Sequence, residues 1–238
     1  MCPALIVAAI LYSAVGHGGA SGYMAVMVMF GLAPEVMRPV ALSMNIAVTS
    51  WILWRHRQYR RHIVQFTPLI LAAIPAAFIG GLWRLTPGSY QLLLGVILLA
   101  SAARMFWPIP ASDAQPQGNR LMMLLIGVVL GLVAGLTGVG GGIFLSPLLV
   151  VLGWCSIEKS IAPVAAFIWC NSIAGLSGFL LGAGTLPSTT GLFVSMAFIG
   201  CLFGAEVSLQ RHRKALLSNL LASVLLIAGG KMFILGLA

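Results

Sequence analysis

"VGHGGASGYM", Val15–Met24, and "TGVGGGIFLS", Thr137–Ser146, each interrupt an apolar run with a cluster of glycines. Glycine inside a helix costs about 1 kcal/mol against alanine. A polar group stranded in lipid costs several kcal/mol. Neither run suits a continuous membrane helix, and both suit a break between two short ones. The surroundings require a membrane. The 238-residue chain is 60% hydrophobic and 7% charged, with a mean hydropathy of +1.06. Soluble domains carry about a quarter charged residues. Ser160–Ala205 holds no Asp, Glu, Lys or Arg, which is room for two crossings at about 20 residues each. The apolar runs are continuous rather than alternating, so helices and not a transmembrane barrel are expected.

The formal net charge of +9 comes from short basic clusters between apolar runs. Such clusters orient membrane helices, and no soluble domain is evident to bind nucleic acid. No basic segment precedes the first apolar stretch, so no cleaved signal peptide is expected. Cys2, Cys155, Cys170 and Cys201 show neither paired spacing nor a neighbouring ligand histidine. They read as helix-packing residues, with no metal and no cofactor expected.

Apolar segments run over 3–15, 19–31, 37–54, 63–83, 89–106, 121–136, 143–152, 160–180, 190–208 and 215–237. The proline-rich "WPIPASDAQPQGNR", Trp107–Arg120, reads as a solvated cytoplasmic linker at 107–120. It divides two repeats, 1–106 and 121–238. Gly16, Gly18, Gly19 and Gly31 fall on Gly138, Gly140, Gly141 and Gly153 at a constant offset of 122. Pro39 then meets Pro163, Asn45 meets Asn171, and "RMF" at Arg104 meets "KMF" at Lys231. The offset grows by small steps, as loop insertions produce. Internal duplication is a common route to secondary transporters.

Charge sets the geometry of the second glycine run. With the Arg55–Arg61 loop cytoplasmic, a hairpin over Leu121–Leu152 keeps Lys159, Arg211, Arg213 and Lys214 inside too. Only Arg38, Arg84 and Lys231 then lie outside. A single crossing there would divide the bases almost evenly, against the positive-inside bias. Thirty-odd residues of helix would also measure about 48 Å, too long for one ~30 Å crossing. The repeat extends the hairpin to the first half. An all-α polytopic protein follows, with one glycine-broken hairpin and three spanning helices per half. Four elements per half with one re-entrant make the halves inverted relative to each other.

A break at membrane depth survives only when buried in protein or lining a cavity. The helix after each break points unpaired N–H groups and its positive dipole end at that cavity. Glycine lets a ligand reach them, and two such turns make an anion site. Tight helix crossing by small residues is the alternative. Candidate substrate-binding residues are His17, Gly18, Gly19, Ser21, Asn45, Gly140, Gly141, Gly142, Asn171 and Ser172. The amides supply donors without adding charge, or serve as interhelical glue. His17 is the candidate for a coupling proton. Glu206 reads as solvated or paired with a base.

The stretches "GHGGASGYMAVMVMFGLAPEVMRPVALSMNIAVTSWILWRHRQYRRHI" and "GLTGVGGGIFLSPLLVVLGWCSIEKSIAPVAAFIWCNSIAGLSGF" resemble the paired motifs of the TauE/SafE sulfite exporter family. The resemblance spans both halves. It implies a secondary transporter of the cell inner (plasma) membrane for sulfite, thiosulfate, organosulfonates or similar oxyanions. By motif it carries over Gly18, Gly19, Gly140, Gly141, Gly142, Asn45 and Asn171. The first half departs from it, with "GHGGASG" in place of an uninterrupted glycine run.

Partners are therefore a small sulfur-containing anion and the lipid bilayer, with monomer and homodimer both open and no nucleic acid. An anion channel using the same turns is the nearest rival, and a purely structural subunit is another. "GASG" at 19–22 and "GLSG" at 175–178 also satisfy the pattern of an intramembrane serine protease. That chemistry needs a positioned base. His56, His62 and His212 sit beside arginines at expected helix ends, so no enzyme is expected.

Overall fold

A computed structural model describes residues 2–15, 19–106, 119–182, 184–206 and 211–237, with side chains undescribed at 2, 12–15, 157, 205, 206 and 211–218. Among them are ten α-helices: α1 (Cys2–Val15), α2 (Ala20–Met29), α3 (Pro34–Arg55), α4 (Thr67–Leu82), α5 (Pro87–Phe106), α6 (Arg120–Thr137), α7 (Gly142–Val151), α8 (Ile157–Leu181), α9 (Thr190–Glu206) and α10 (Arg211–Leu237). Each lies on one of the ten apolar segments. Six stretches are long and apolar enough to cross a membrane: Pro34–Arg55, Arg57–Leu82, Pro87–Phe106, Arg120–Thr137, Glu158–Leu181 and Asn219–Leu237. Large apolar side chains such as Leu125, Val129, Ile227 and Ile234 face outward, where a soluble protein would expose polar groups. The linker at 107–120 lies outside the described residues except at its end, where Asn119 Oδ1 caps α6 by accepting from Leu121 N–H at 2.9 Å.

Small residues set how the helices run. Gly127, Gly131 and Gly135 of α6 press in order on Leu69, Ala73 and Ala77 of α4, so closely that a Cβ on any of the three would collide with backbone. The two helices are therefore parallel. Gly175, Gly178 and Gly182 climb α4 in the same sense, against Ala77, Phe78 and Leu82. Small residues at i and i+4 let backbones approach where no hydrophobic force separates helix from lipid. In α3 and α8 the order reverses: Arg38 lies over Phe179, while Trp169 Nε1 donates to Ser50 Oγ at 2.9 Å. In α5 and α10 it reverses too, with Gly88 against Gly236 and Gly95 against Gly229.

These contacts define two ends of the bundle. The basic Arg57–His62 turn leads through Val64–Phe66 into α4, so α4, α6 and α8 all start at the basic end. Residues 152–156 join α7 to the start of α8, so α6 and α7 form a hairpin that returns to its own end. Because α10 opposes α5, Arg211 also starts at the basic end. At the other end, the guanidinium of Arg84 donates to Gly182 O. There Lys231 Nζ donates to Val28 O at 2.8 Å, closing the end of α2. The arms of the second hairpin are unequal, 18 residues in α6 and 10 in α7. The α6 arm therefore carries the hairpin well toward the Arg84 end.

Packing partners exchange with the halves. α4 packs on α6 and on α8, while its counterpart α9 packs on α1 and on α3. α3 pairs with α8 and α5 with α10. One buried core joins α1, α2, α3, α5, α9 and α10 with Val139 and Ile143. A second joins α4, α6, α8 and the rest of α7. The glycine turn between α6 and α7 sits at the seam.

Candidate functional site

Helix α6 ends in a left-handed glycine. Gly138 has φ 85°, and its N–H donates to Ala134 O at 2.8 Å. Gly140 and Gly141 follow with φ 79° and 70°, and no side chain caps α7 behind them. An L-residue costs about 1–2 kcal/mol in this region, so the run of glycines permits three such positions in four residues. The turn exposes carbonyls at the end of α6 and leading N–H groups at the start of α7.

Asn45, on α3, lies across this turn. Its Nδ2 donates to Gly138 O at 3.2 Å, while its Oδ1 is buried without a partner. A Cβ on Gly140 would stand 2.9 Å from that Nδ2. Helix α8 closes the opposite wall. Phe167 meets Gly141, and Ile168 meets Gly140 and Gly142. One turn farther on the same face come Asn171 and Ser172, and one more turn brings Gly175 against Gly135. Asn171 and Ser172 are fully buried, and neither the amide nor the hydroxyl has a hydrogen-bond partner. Leaving such a group unmade costs about 1–3 kcal/mol. Buried polar groups without partners are uncommon, and here three residues carry them, one of which, Asn45, lies against an uncapped helix start.

In the first half, Gly19 (φ 53°) takes the place of Gly141, ahead of α2. Gly31 and Gly153 match likewise at φ 71° and 68°. Tyr23 N–H donates to Gly19 O at 3.0 Å, and the phenol folds back until a Cβ on Gly19 would strike it. The first helix start therefore lies under a tyrosine ring. Ser21 is buried one residue into α2. Helix α2 meets the α6–α7 turn through Met24, whose Cε would lie 3.3 Å from a Cβ on Gly138. His17 and Gly18 lie outside the described residues, as does the side chain of Glu206. The structure thus brings Asn45 to Gly138 and Gly140 and places α2 against Gly138, with Asn171 and Ser172 one turn beyond Ile168 on α8.

Sequence reasoning missed Arg38, counted there as a base outside the membrane. It is buried on the first turns of α3. Its Nε donates to Gly135 O at 2.8 Å, Nη1 to Trp83 O at 3.0 Å, and Nη2 to Gly80 O and to Gly81 O at 2.7 Å. One guanidinium thereby satisfies the carbonyl ends of α4 and α6, which no helix satisfies alone, with its charge at their negative dipole ends. Tyr90 Oη completes α6 by donating to Thr137 O at 3.0 Å. The available signal was an arginine within an apolar span, where an ionisable group needs a partner.

Other chemistry finds less support. Gly175 and Gly178 of "GLSG" pack on α4, and Ser177 is exposed. His56 and His62 belong to the opposite, basic end. Among the described residues no group of three His, Cys, Asp or Glu could hold a metal, and Cys155, Cys170 and Cys201 form no disulfide.

The sulfite exporter TauE/SafE family matches residues 1–232. The chain is 31% identical to the probable membrane transporter protein y4hK of Sinorhizobium fredii, over 95% of this chain and 94% of that protein. It is 24% identical to the probable membrane transporter protein MamO of Paramagnetospirillum magneticum, over 80% of this chain but only 37% of that longer protein. No solved structure matches. Helices long enough to span, their outward apolar faces and a family match along almost the whole length agree: the chain belongs to the TauE/SafE sulfite exporter family of multi-pass membrane transporters.

Proposed function

We propose that the protein is a secondary transporter that carries a small sulfur-containing oxyanion of the sulfite, thiosulfate or organosulfonate class. The anion binds where the α6–α7 turn meets Asn45, Asn171 and Ser172. The observation that carries this reading is the set of buried, unpartnered polar atoms on Asn45, which lies against an uncapped helix start, and on Asn171 and Ser172 one turn beyond Ile168. Backbone N–H groups, an amide and a hydroxyl would hold an anion by neutral donors at a positive helix end. The acceptors Asn45 Oδ1 and Asn171 Oδ1 suit a retained water, or an anion that carries a proton. α2 and its turn, with Gly18, Gly19 and Ser21, form the second hairpin of the site, and His17 is its proton-coupling candidate. The halves, 1–106 and 121–238, are inverted repeats. The antiparallel courses of α3 and α8 and of α5 and α10 support that arrangement, as does the exchange of packing partners. The basic end faces the cytoplasm by the positive-inside bias, and the membrane is the cell inner membrane.

Anion affinity and folded yield, measured on the same detergent preparations of Gly140→Val and Asn171→Asp, test the site. Both variants should bind sulfite or thiosulfate at least tenfold more weakly, about 1.4 kcal/mol. Wild-type affinity in folded protein would place the site elsewhere. Reconstituted vesicles should show saturable uptake with counterflow, and discrete single-channel currents would refute a carrier.

A further inference from the structure

A second polar feature opens at the Arg84 end. A cavity of about 290 Å³ lies between the start of α3, the α4–α5 loop, α5 and the loop after α8, with Glu35, Arg38, Arg84, Tyr90, Phe179 and Thr185 on its wall. By contrast, the groove beside Trp169 and the one between α1, α2 and α10 are lined almost wholly by apolar side chains. The lining thus includes two arginines, two hydroxyl residues and one carboxylate. A guanidinium presents five N–H donors, and Arg38 commits four of them to the helix-end carbonyls, leaving one on Nη1. Its position is buried yet open to the cavity. A guanidinium that only tied helix ends together would need no such space beside it, nor a second arginine lining the same cavity.

The cavity floor is also the roof of the glycine turn. The backbone of Arg38 would lie 3.0 Å from a Cβ on Gly138, and Tyr90 holds Thr137 O of the same turn. Arg38 and Tyr90 thus line the cavity and also touch the turn. Positive charge in a recess bounded by low-dielectric walls focuses the field and raises the local concentration of anions, and guanidinium groups match oxyanion geometry.

We infer that this cavity is an outer anion subsite, where a small oxyanion docks against Arg84, Thr185 and the remaining N–H of Arg38 before it reaches the turn. This rests on the reading of the protein as an oxyanion transporter. Glu35 opposes the docking charge and tunes the subsite to moderate affinity, as a stop on a pathway requires.

The experiment is concentration-dependent uptake of ³⁵S-labelled sulfite and thiosulfate, and of methanesulfonate, into vesicles holding wild type, Arg84→Gln, Glu35→Gln or Gly140→Val. Arg84→Gln should raise KM at least threefold, and Glu35→Gln should lower it at least twofold. A lowered KM is an outcome that misfolding does not produce. Unchanged KM in both variants, or shifts in the same direction, would overturn the outer subsite. If Gly140→Val abolishes equilibrium binding while Arg84→Gln and Glu35→Gln behave as wild type, the turn stands and the outer subsite falls. If Gly140→Val binds normally while the two charge variants shift in opposite directions, the outer subsite stands without the turn. A wild-type protein that takes up none of the three probes would overturn both.

Discussion

Replacing Gly140 with alanine adds one carbon atom, and the structure says what that atom meets. Gly140 has φ 79°, and its Cβ would stand 2.9 Å from Asn45 Nδ2 and 3.1 Å from Ile168 Cγ2. The left-handed backbone costs an alanine about 1–2 kcal/mol. Moving the Asn45 amide aside breaks its bond to Gly138 O, about 1 kcal/mol more. Together these predict a loss of about 2–3 kcal/mol. Gly31→Ala is the matched control. It has φ 71° with nothing within 4 Å of its Cβ, so it bears the backbone penalty alone, about 1–2 kcal/mol. Denaturant unfolding of both variants in detergent measures the difference, and equilibrium binding of sulfite and thiosulfate measures its consequence. Gly140→Ala should weaken binding at least tenfold, about 1.4 kcal/mol, while Gly31→Ala binds as wild type. Equal stability loss and equal affinity in the two would refute the assignment of Asn45 and the turn to one site.

Arg38→Ala should lower folded yield sharply in a size-exclusion assay, because it strands the carbonyls of Gly80, Gly81, Trp83 and Gly135, each costing about 1–3 kcal/mol if unsatisfied. Arg38→Lys should recover only part of it, since an ammonium lacks the fork that spans two helix ends. Burial, partly offset by nearby Lys159, pushes the Cys155 thiol up to about 11. Its maleimide labelling should therefore be slow at neutral pH and climb steeply as the pH rises toward 10. Because the folded value is raised, its contribution to stability is complete below the ordinary thiol range and fades as pH rises toward 11; a thermal unfolding series above pH 9 checks that sign. Cysteines placed at Gln58 and at Ser188 should label from opposite faces of the membrane, and one placed at His212 should label from the face of Gln58. Labelling of Gln58 and His212 from opposite faces would refute the shared basic end.

What the sequence determined by itself was everything set by local composition. Ten helices were visible because hydropathy, glycine and proline act within a turn or two of themselves. The pairs Gly19 with Gly141 and Gly31 with Gly153 were readable as repeats, and each pair adopts the same left-handed backbone. Asn45 and Asn171 stood out because an amide inside an apolar helix needs a reason. Only tertiary structure decided what those residues face. Arg38 read only as one more base on the outer side because the carbonyls that bind it, Gly80, Gly81, Trp83 and Gly135, belong to two remote helix ends. Tyr23 reads as an ordinary apolar position until its ring folds over Gly19. The same holds for the glycines of α6, whose spacing permits close packing but does not name α4 as the partner. A helix end leaves its last carbonyls unsatisfied wherever it stops, and which distant donor meets them depends on packing that no local window contains.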